Sequence, residues 1–251
     1  MRDASHIYRT FRSYMLISFF FNAGAGFVAT TYALYLRSHG LNDFQINVPN
    51  LIFFGTMFFF ELPTGAFADH YGRRASVVFA CVFEAFGMLL YASARSMWGF
   101  VFAEIACGLG RTFLSGAFQA WLVDTLNVHA GGAEEALALK NTFLGREKRM
   151  FFLLPIVVGP LGYSLSHLDP AYPWITGSFL VLFAGVLAFL LIDERYRRAD
   201  QREKARTMWG KIGTAIAATH MSAGLRFIFF FSFVDGLVIQ PLNMLWTRFF
   251  S

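Results

Sequence analysis

The sequence predicts an all-α membrane protein that crosses the bilayer several times, and three observations carry that expectation. Only 15% of the residues are charged, whereas 56% are hydrophobic and 32 are Phe; a soluble domain carries about 25% charged residues to keep its surface wet. Apolar runs recur at about 20 residues or more, the length a helix needs to cross the hydrocarbon core at ~1.5 Å per residue. The basic residues lie mostly between these runs and fall unevenly on alternate sides of them.

Seven runs meet the length requirement: about 14–36, 46–68, 75–94, 97–124, 146–166, 173–192 and 222–249. The first holds 23 consecutive uncharged residues, too long for the core of a cleaved signal peptide, so it reads as a retained span. Pro155, Gly159 and Pro160 interrupt the fifth; neighbouring helices in a membrane bundle re-satisfy the backbone groups that such residues free. Cys81 and Cys107 both fall inside apolar runs without metal-ligand spacing, which points to packing rather than redox or metal chemistry.

Alternation of the loops puts Arg2, Arg9, Arg12, Arg73, Arg74, Lys140, Arg146, Lys148, Arg149 and the seven Lys/Arg from Arg195 to Lys211 on one side. Arg37, Arg95 and Arg248 fall on the other. A sixteen-to-three split sets the N-terminus in the cytoplasm of a cell membrane, because cytoplasmic loops retain the excess of Lys and Arg. Short loops then face outward, and longer ones, 127–149 and 193–221, face inward. The second of these reads as a basic helix lying along the membrane surface near anionic head groups. It divides the chain into a six-helix bundle over 1–194, a basic linker over 195–221, and a seventh span over 222–251.

The net charge of +5 would suggest nucleic acid in a soluble protein. Here the cations set orientation, and no basic–aromatic stripe offers bases a stacking platform, so the bilayer is the expected partner and nucleic acid is not. An enzyme is not expected either. The six histidines sit in loops or at span ends, no Ser/His/Asp set appears, and neither a metal site nor a cofactor loop is evident.

Between the second and third spans runs Gly65-Ala66-Phe67-Ala68-Asp69-His70-Tyr71-Gly72-Arg73-Arg74. Physically, Gly65 would let helices approach closely, and Gly72 would permit a tight reversal. Asp69 could accept from the free amides of a helix N-terminus, and Arg73 and Arg74 would hold the loop in the cytoplasm. The stretch closely resembles the loop motif of the major facilitator superfamily, Gly-x-Leu-Ala-Asp-Arg/Lys-x-Gly-Arg/Lys-Arg/Lys. Phe67 replaces the leucine and His70 the usual cation. The preceding Glu61-Leu62-Pro63-Thr64 resembles the lead-in of many prokaryotic members. In the fourth span Gly110-Arg111-Thr112-Phe113-Leu114-Ser115-Gly116-Ala117 is similar to the superfamily's fourth-helix motif with its embedded arginine. Gly159-Pro160-Leu161-Gly162 partly matches the Gly-Pro motif of drug–proton antiporters.

The resemblance implies a major-facilitator-type bundle in which two six-helix halves rock about a midplane site. It also implies that Asp69, Arg73 and Asp124, with Gly65, Gly72 and Arg74, form a cytoplasmic gate latch. A small-molecule solute, with protons as coupling ion, would be the cargo, and the second half is expected to follow in a longer chain. Drug efflux or antiport through an inner membrane and uptake of a metabolite stay open. Charges at mid-bilayer cost roughly 2.5–3.5 kcal/mol each, so Glu61, Glu104, Arg111 and Asp235, with uncharged Asn22, are the candidates for a solute and proton pathway. Glu84 reads as a protonated or paired peripheral residue. Arg111, ~20 Å in from Asp124, is expected to face Asp235 across the cavity, and Glu104 to join it at a seven-residue spacing. The rival reading is a seven-helix receptor or scaffold that transports nothing, which the cytoplasmic N-terminus disfavours.

Overall fold

The computed structural model describes residues 4–194 and Phe227. The linker expected over 195–221 and the seventh span with Asp235 lie outside the described residues. Over residues 4–194 seven helices follow in order: α1 (Ala4–Ala29), α2 (Tyr32–Ser38), α3 (Asp43–Tyr71), α4 (Arg73–Ser93), α5 (Met97–His129), α6 (Ala133–Ser166) and α7 (Tyr172–Leu191). No strand occurs among the described residues, as the all-α expectation requires. Five helices are each long and apolar enough to span a membrane, and the bent pair α1–α2 makes a sixth.

The first expected span is therefore not one straight helix. It begins ten residues early, at Ala4, and breaks at Thr30–Thr31 with a bend of 45°. The two threonines explain the break: Thr31 Oγ1 donates back to the Val28 carbonyl at 3.3 Å and Thr30 Oγ1 donates across to the Gly159 carbonyl at 3.2 Å. Such hydroxyls compete with the helical ladder and bend it.

The long inward loop expected over 127–149 is corrected more sharply. α5 continues to His129 and α6 starts at Ala133, so three residues connect two helices of 33 and 34 residues. Hydropathy alone hides this. Ala133 to Lys140 is rich in Ala, Leu and Glu, strong helix formers, and Glu134 and Glu135 sit in the first turn where the helix dipole favours acids. Helices of ~50 Å outreach the ~30 Å hydrocarbon core, so the basic residues ride on helical extensions rather than on a loop.

Local signals explain other ends. Asn42 and Gln45 form a reciprocal capping box at the start of α3, each side chain satisfying the other's exposed amide. Pro173 occupies the first turn of α7, where its missing N–H costs nothing. Gly72 alone joins α3 to α4, at φ 110°, a conformation that side chains resist.

α4 packs on α5 and α7, α1 on α6 and α7, and α3 on α5. One core cluster gathers Phe21, Tyr35, Tyr91, Phe100 and Trp174. A second, toward the basic end of the bundle, gathers Tyr14, Val77, Phe118, Trp121 and Leu122. The outer faces of α3 and α6 stay apolar and open, with Phe59, Phe152, Ile156 and Val157 all well exposed. Lipid suits such faces.

Candidate functional site

Three polar groupings interrupt the apolar bundle. The first lies at the basic end. There Arg73 Nη2 is 3.0 Å from Asp69 Oδ1, one turn back across the Gly72 corner, and Arg73 Nε is 3.8 Å from Asp124 Oδ2 of α5. The free amides at the start of α4 are taken by Glu194: the backbone N–H groups of Arg73 and Arg74 both donate to its Oε1. Asp69, expected on those amides, goes to the Arg73 guanidinium instead. The cap arrives from 120 residues away, beyond reach of local sequence reading. Trp121 Nε1 donates to the neighbouring Asp193 carbonyl at 3.1 Å, which fixes the segment after α7 beside α5. Arg74 turns outward over the Phe189 ring.

Gly65 does not behave as expected. A Cβ there would meet nothing within 4 Å, so no helix among the described residues approaches it closely. The tight contact lies at Gly110, where a Cβ would stand 2.8 Å from the Glu84 nitrogen and 2.9 Å from the Ala80 carbonyl. α4 and α5 meet backbone to backbone at that level.

Immediately beside this contact, Arg111 Nη2 lies 3.2 Å from Glu84 Oε1, and the guanidinium sits over the Phe21 ring at 4.9 Å. Glu84, read from the sequence as peripheral, thus supplies the charge that holds the embedded arginine. The expected facing of Arg111 and Asp235 lies outside the described residues.

Arg111 also reaches the second grouping, an open cavity of about 370 Å³ between α1, α5 and α6. Its polar lining is Ser18, Asn22, Arg111, Gln119, Glu147 and Lys148, and its apolar lining includes Phe21, Phe118 and Phe151. Glu147 escaped the sequence reading, which counted the cations on either side of it for orientation. Tyr14 and Ser18 donate to its two oxygens at 2.6 and 3.0 Å, and Asn22 donates to Ser18. One signal was available: Tyr14, Ser18 and Asn22 recur every four residues, a polar stripe down an apolar helix.

The third grouping encloses Glu104. The seven-residue spacing does put Glu104 and Arg111 on one face of α5, but two turns apart, and the carboxylate is closed off at 6% exposure. Tyr91 and Tyr32 donate to its Oε1 at 2.6 and 2.9 Å, and Trp174 stacks on Tyr91 at 4.0 Å. Glu104 therefore lines no part of the cavity that Asn22 and Arg111 share. Glu61 is exposed on α3 and accepts from Ser115 at 2.7 Å. No group of His, Cys, Asp and Glu among the described residues could hold a metal ion.

A family model described as Major Facilitator Superfamily matches residues 14–250. The chain belongs to that superfamily. Among the relatives is an uncharacterized transporter of Buchnera aphidicola subsp. Schizaphis graminum, 24% identical over 74% of this chain and 46% of its own length. An uncharacterized MFS-type transporter of Bacillus subtilis, YxaM, is 25% identical over 66% of this chain and 40% of its own. The match covers less than half the length of each of these relatives. Membership identifies a multi-pass membrane protein of a transporter superfamily and not an enzyme. It also removes the ground for the receptor reading, which rested on the number of spans.

Proposed function

We propose that this chain forms the first bundle of a secondary transporter that moves a small solute across the cell membrane by alternating access. The observation that carries the reading is the polar cavity between α1, α5 and α6, set into helices whose other faces are apolar. A polar, charged recess at membrane depth is costly unless it serves a pathway. A second bundle, contributed by a longer chain, would close its open side, and rocking of the two would expose it to each face in turn.

In this reading the N-terminus and the basic end are cytoplasmic. Asp69, Arg73 and Asp124 then latch the cytoplasmic gate, and their ion pairs part when the cavity opens inward. Glu104, held by two tyrosine hydroxyls at the bend of the first span, is the proton-coupling candidate within the described residues, and Asp235 the candidate beyond them. Export of amphipathic compounds fits the aromatic lining.

Membrane vesicles carrying the full-length protein test the proposal directly. They are offered a mixed solute pool with and without an imposed pH gradient, and the contents are read by mass spectrometry. At least one solute should be enriched or depleted relative to vesicles without the protein, and a protonophore should abolish the difference. Identical contents in both vesicle types would overturn the transport reading; a protonophore-insensitive difference would overturn proton coupling alone.

A further inference from the structure

We propose that the cavity between α1, α5 and α6 selects an amphipathic organic anion: one carboxylate, or a group of like size and charge, carried on an apolar body. The proposal rests on the reading of this cavity as the solute site.

The preference follows from the charged side-chain types that the cavity offers. Four acidic or basic side chains stand in or behind its wall. Glu84 is behind it, with a side chain 5% exposed, and engages Arg111 through one guanidinium nitrogen. A guanidinium has five N–H donors in a planar fork, so Arg111, 28% exposed, keeps donors for the cavity. The Phe21 ring beneath it holds the plane in place. Glu147 is committed to the α1 wall, both oxygens already accepting from Tyr14 and Ser18. Lys148 is exposed on α6, lines the cavity, and makes no ion pair among the described residues. Both acids thus have protein partners, Arg111 for Glu84 and two hydroxyls for Glu147, whereas Lys148 has no acid partner among the described residues and Arg111 keeps donors for the same space.

That asymmetry decides the sign of the ligand. A cation reaching Glu147 would meet the adjacent Lys148 and Arg111 lining the same space. An anion finds the Lys148 ammonium and the remaining guanidinium donors of Arg111 on one cavity wall. It also decides the magnitude. Glu84 and Glu147 balance the two bases in sum, so the wall has no surplus positive charge for a second negative group, and one anionic group between Lys148 and Arg111 is the match. Phe21, Phe118 and Phe151 supply the remaining surface, which a fully polar anion such as phosphate would leave unused.

The test measures binding to the full-length protein purified in detergent, using 4-phenylbutyrate, its neutral amide 4-phenylbutyramide, the cation 3-phenylpropylammonium, and inorganic phosphate. The carboxylate should bind saturably, and the amide and the ammonium at least roughly tenfold more weakly, the loss expected when a charge-assisted contact goes unmade. Phosphate should not compete. Lys148→Gln should weaken the carboxylate roughly tenfold, leave the amide unchanged, and leave the melting temperature unchanged because Lys148 is exposed. Lys148→Glu should turn the preference toward the ammonium.

Equal affinity for the three organic probes, preference for the ammonium, competition by phosphate, indifference to both Lys148 substitutions, or no saturable binding of the carboxylate would each overturn the proposal. The transport reading fails separately: vesicles would then show no solute difference even where the carboxylate binds as expected.

Discussion

Glu84 of α4 and Arg111 of α5 meet at 3.2 Å beside a close backbone approach of their two helices at Gly110. The carboxylate is almost wholly enclosed, and its second oxygen has no hydrogen-bond partner among the described residues. The arginine is shared between this acid, the Phe21 ring and the open cavity. One embedded charge thus belongs both to helix packing and to the wall of the open cavity.

Glu84→Ala should destabilise the bundle through that sharing. Removing one partner of a buried ion pair costs about 3–5 kcal/mol, and because Arg111 retains access to the cavity the expected loss is nearer ~2 kcal/mol. Thermal unfolding in detergent would register it. The double substitution Glu84→Ala with Arg111→Met should regain a good part of the loss, since no uncompensated charge then stays in the interior. A Glu84→Ala protein that melts with the parent would show that the pair contributes nothing to stability.

Gly110 and Gly65 should respond oppositely to the same added methyl group. At Gly110 a Cβ collides with the Glu84 and Ala80 backbone, which cannot move aside as a flexible side chain can. Gly110→Ala should cost about 1–3 kcal/mol by overpacking and also loosen the Glu84–Arg111 pair. Gly65→Ala meets open space and should leave the melting temperature unchanged or slightly raised, since Ala also favours the helix. Equal effects at the two positions would contradict the packing described for α4 and α5.

These cases show what could be read in advance. Six spans and the turn at Gly72 were legible because hydropathy over about 20 residues and one backbone-permissive residue are local signals. The helical extension of α6 was not, because hydropathy treats Ala133 to Lys140 as merely polar while its helix propensity is high. Partners were the least legible: Glu194 on the α4 amides, Glu84 on Arg111 and Tyr14 on Glu147 join residues 27 to 133 positions apart. A loop motif names its own residues but not the side chain that arrives from elsewhere in the fold.

Tyr91→Phe should expose how Glu104 is held. Tyr91 donates the shorter of the two hydroxyl contacts, 2.6 Å against 2.9 Å from Tyr32. Leaving a buried acceptor short of a donor costs about 1–3 kcal/mol, while the Phe ring keeps its stacking on Trp174. Tyr32→Phe should cost less, and the double substitution more than the sum, since each hydroxyl partly covers for the other. The same series with Glu104→Gln as background should show smaller penalties. Strict additivity in unfolding measurements would mean that the three groups do not act as a unit.

Asp124→Asn should separate gating from stability. Its contact with Arg73 is long, 3.8 Å, between side chains that stay 23% and 37% exposed, and such pairs contribute only about 0–1 kcal/mol. The melting temperature should therefore stay within about 3 °C of the parent. If the Arg73 cluster latches the gate, weakening it should shift the resting equilibrium toward the state open at the basic end. A cysteine placed at Ser18, on the cavity wall, reports that equilibrium through its rate of labelling by a hydrophilic maleimide added from the basic side. The rate should rise severalfold with Asp124→Asn, and also with Asp69→Asn, which loosens the same arginine. Faster labelling together with early melting would point to general loosening of the bundle, and unchanged labelling would remove Asp124 from the gate.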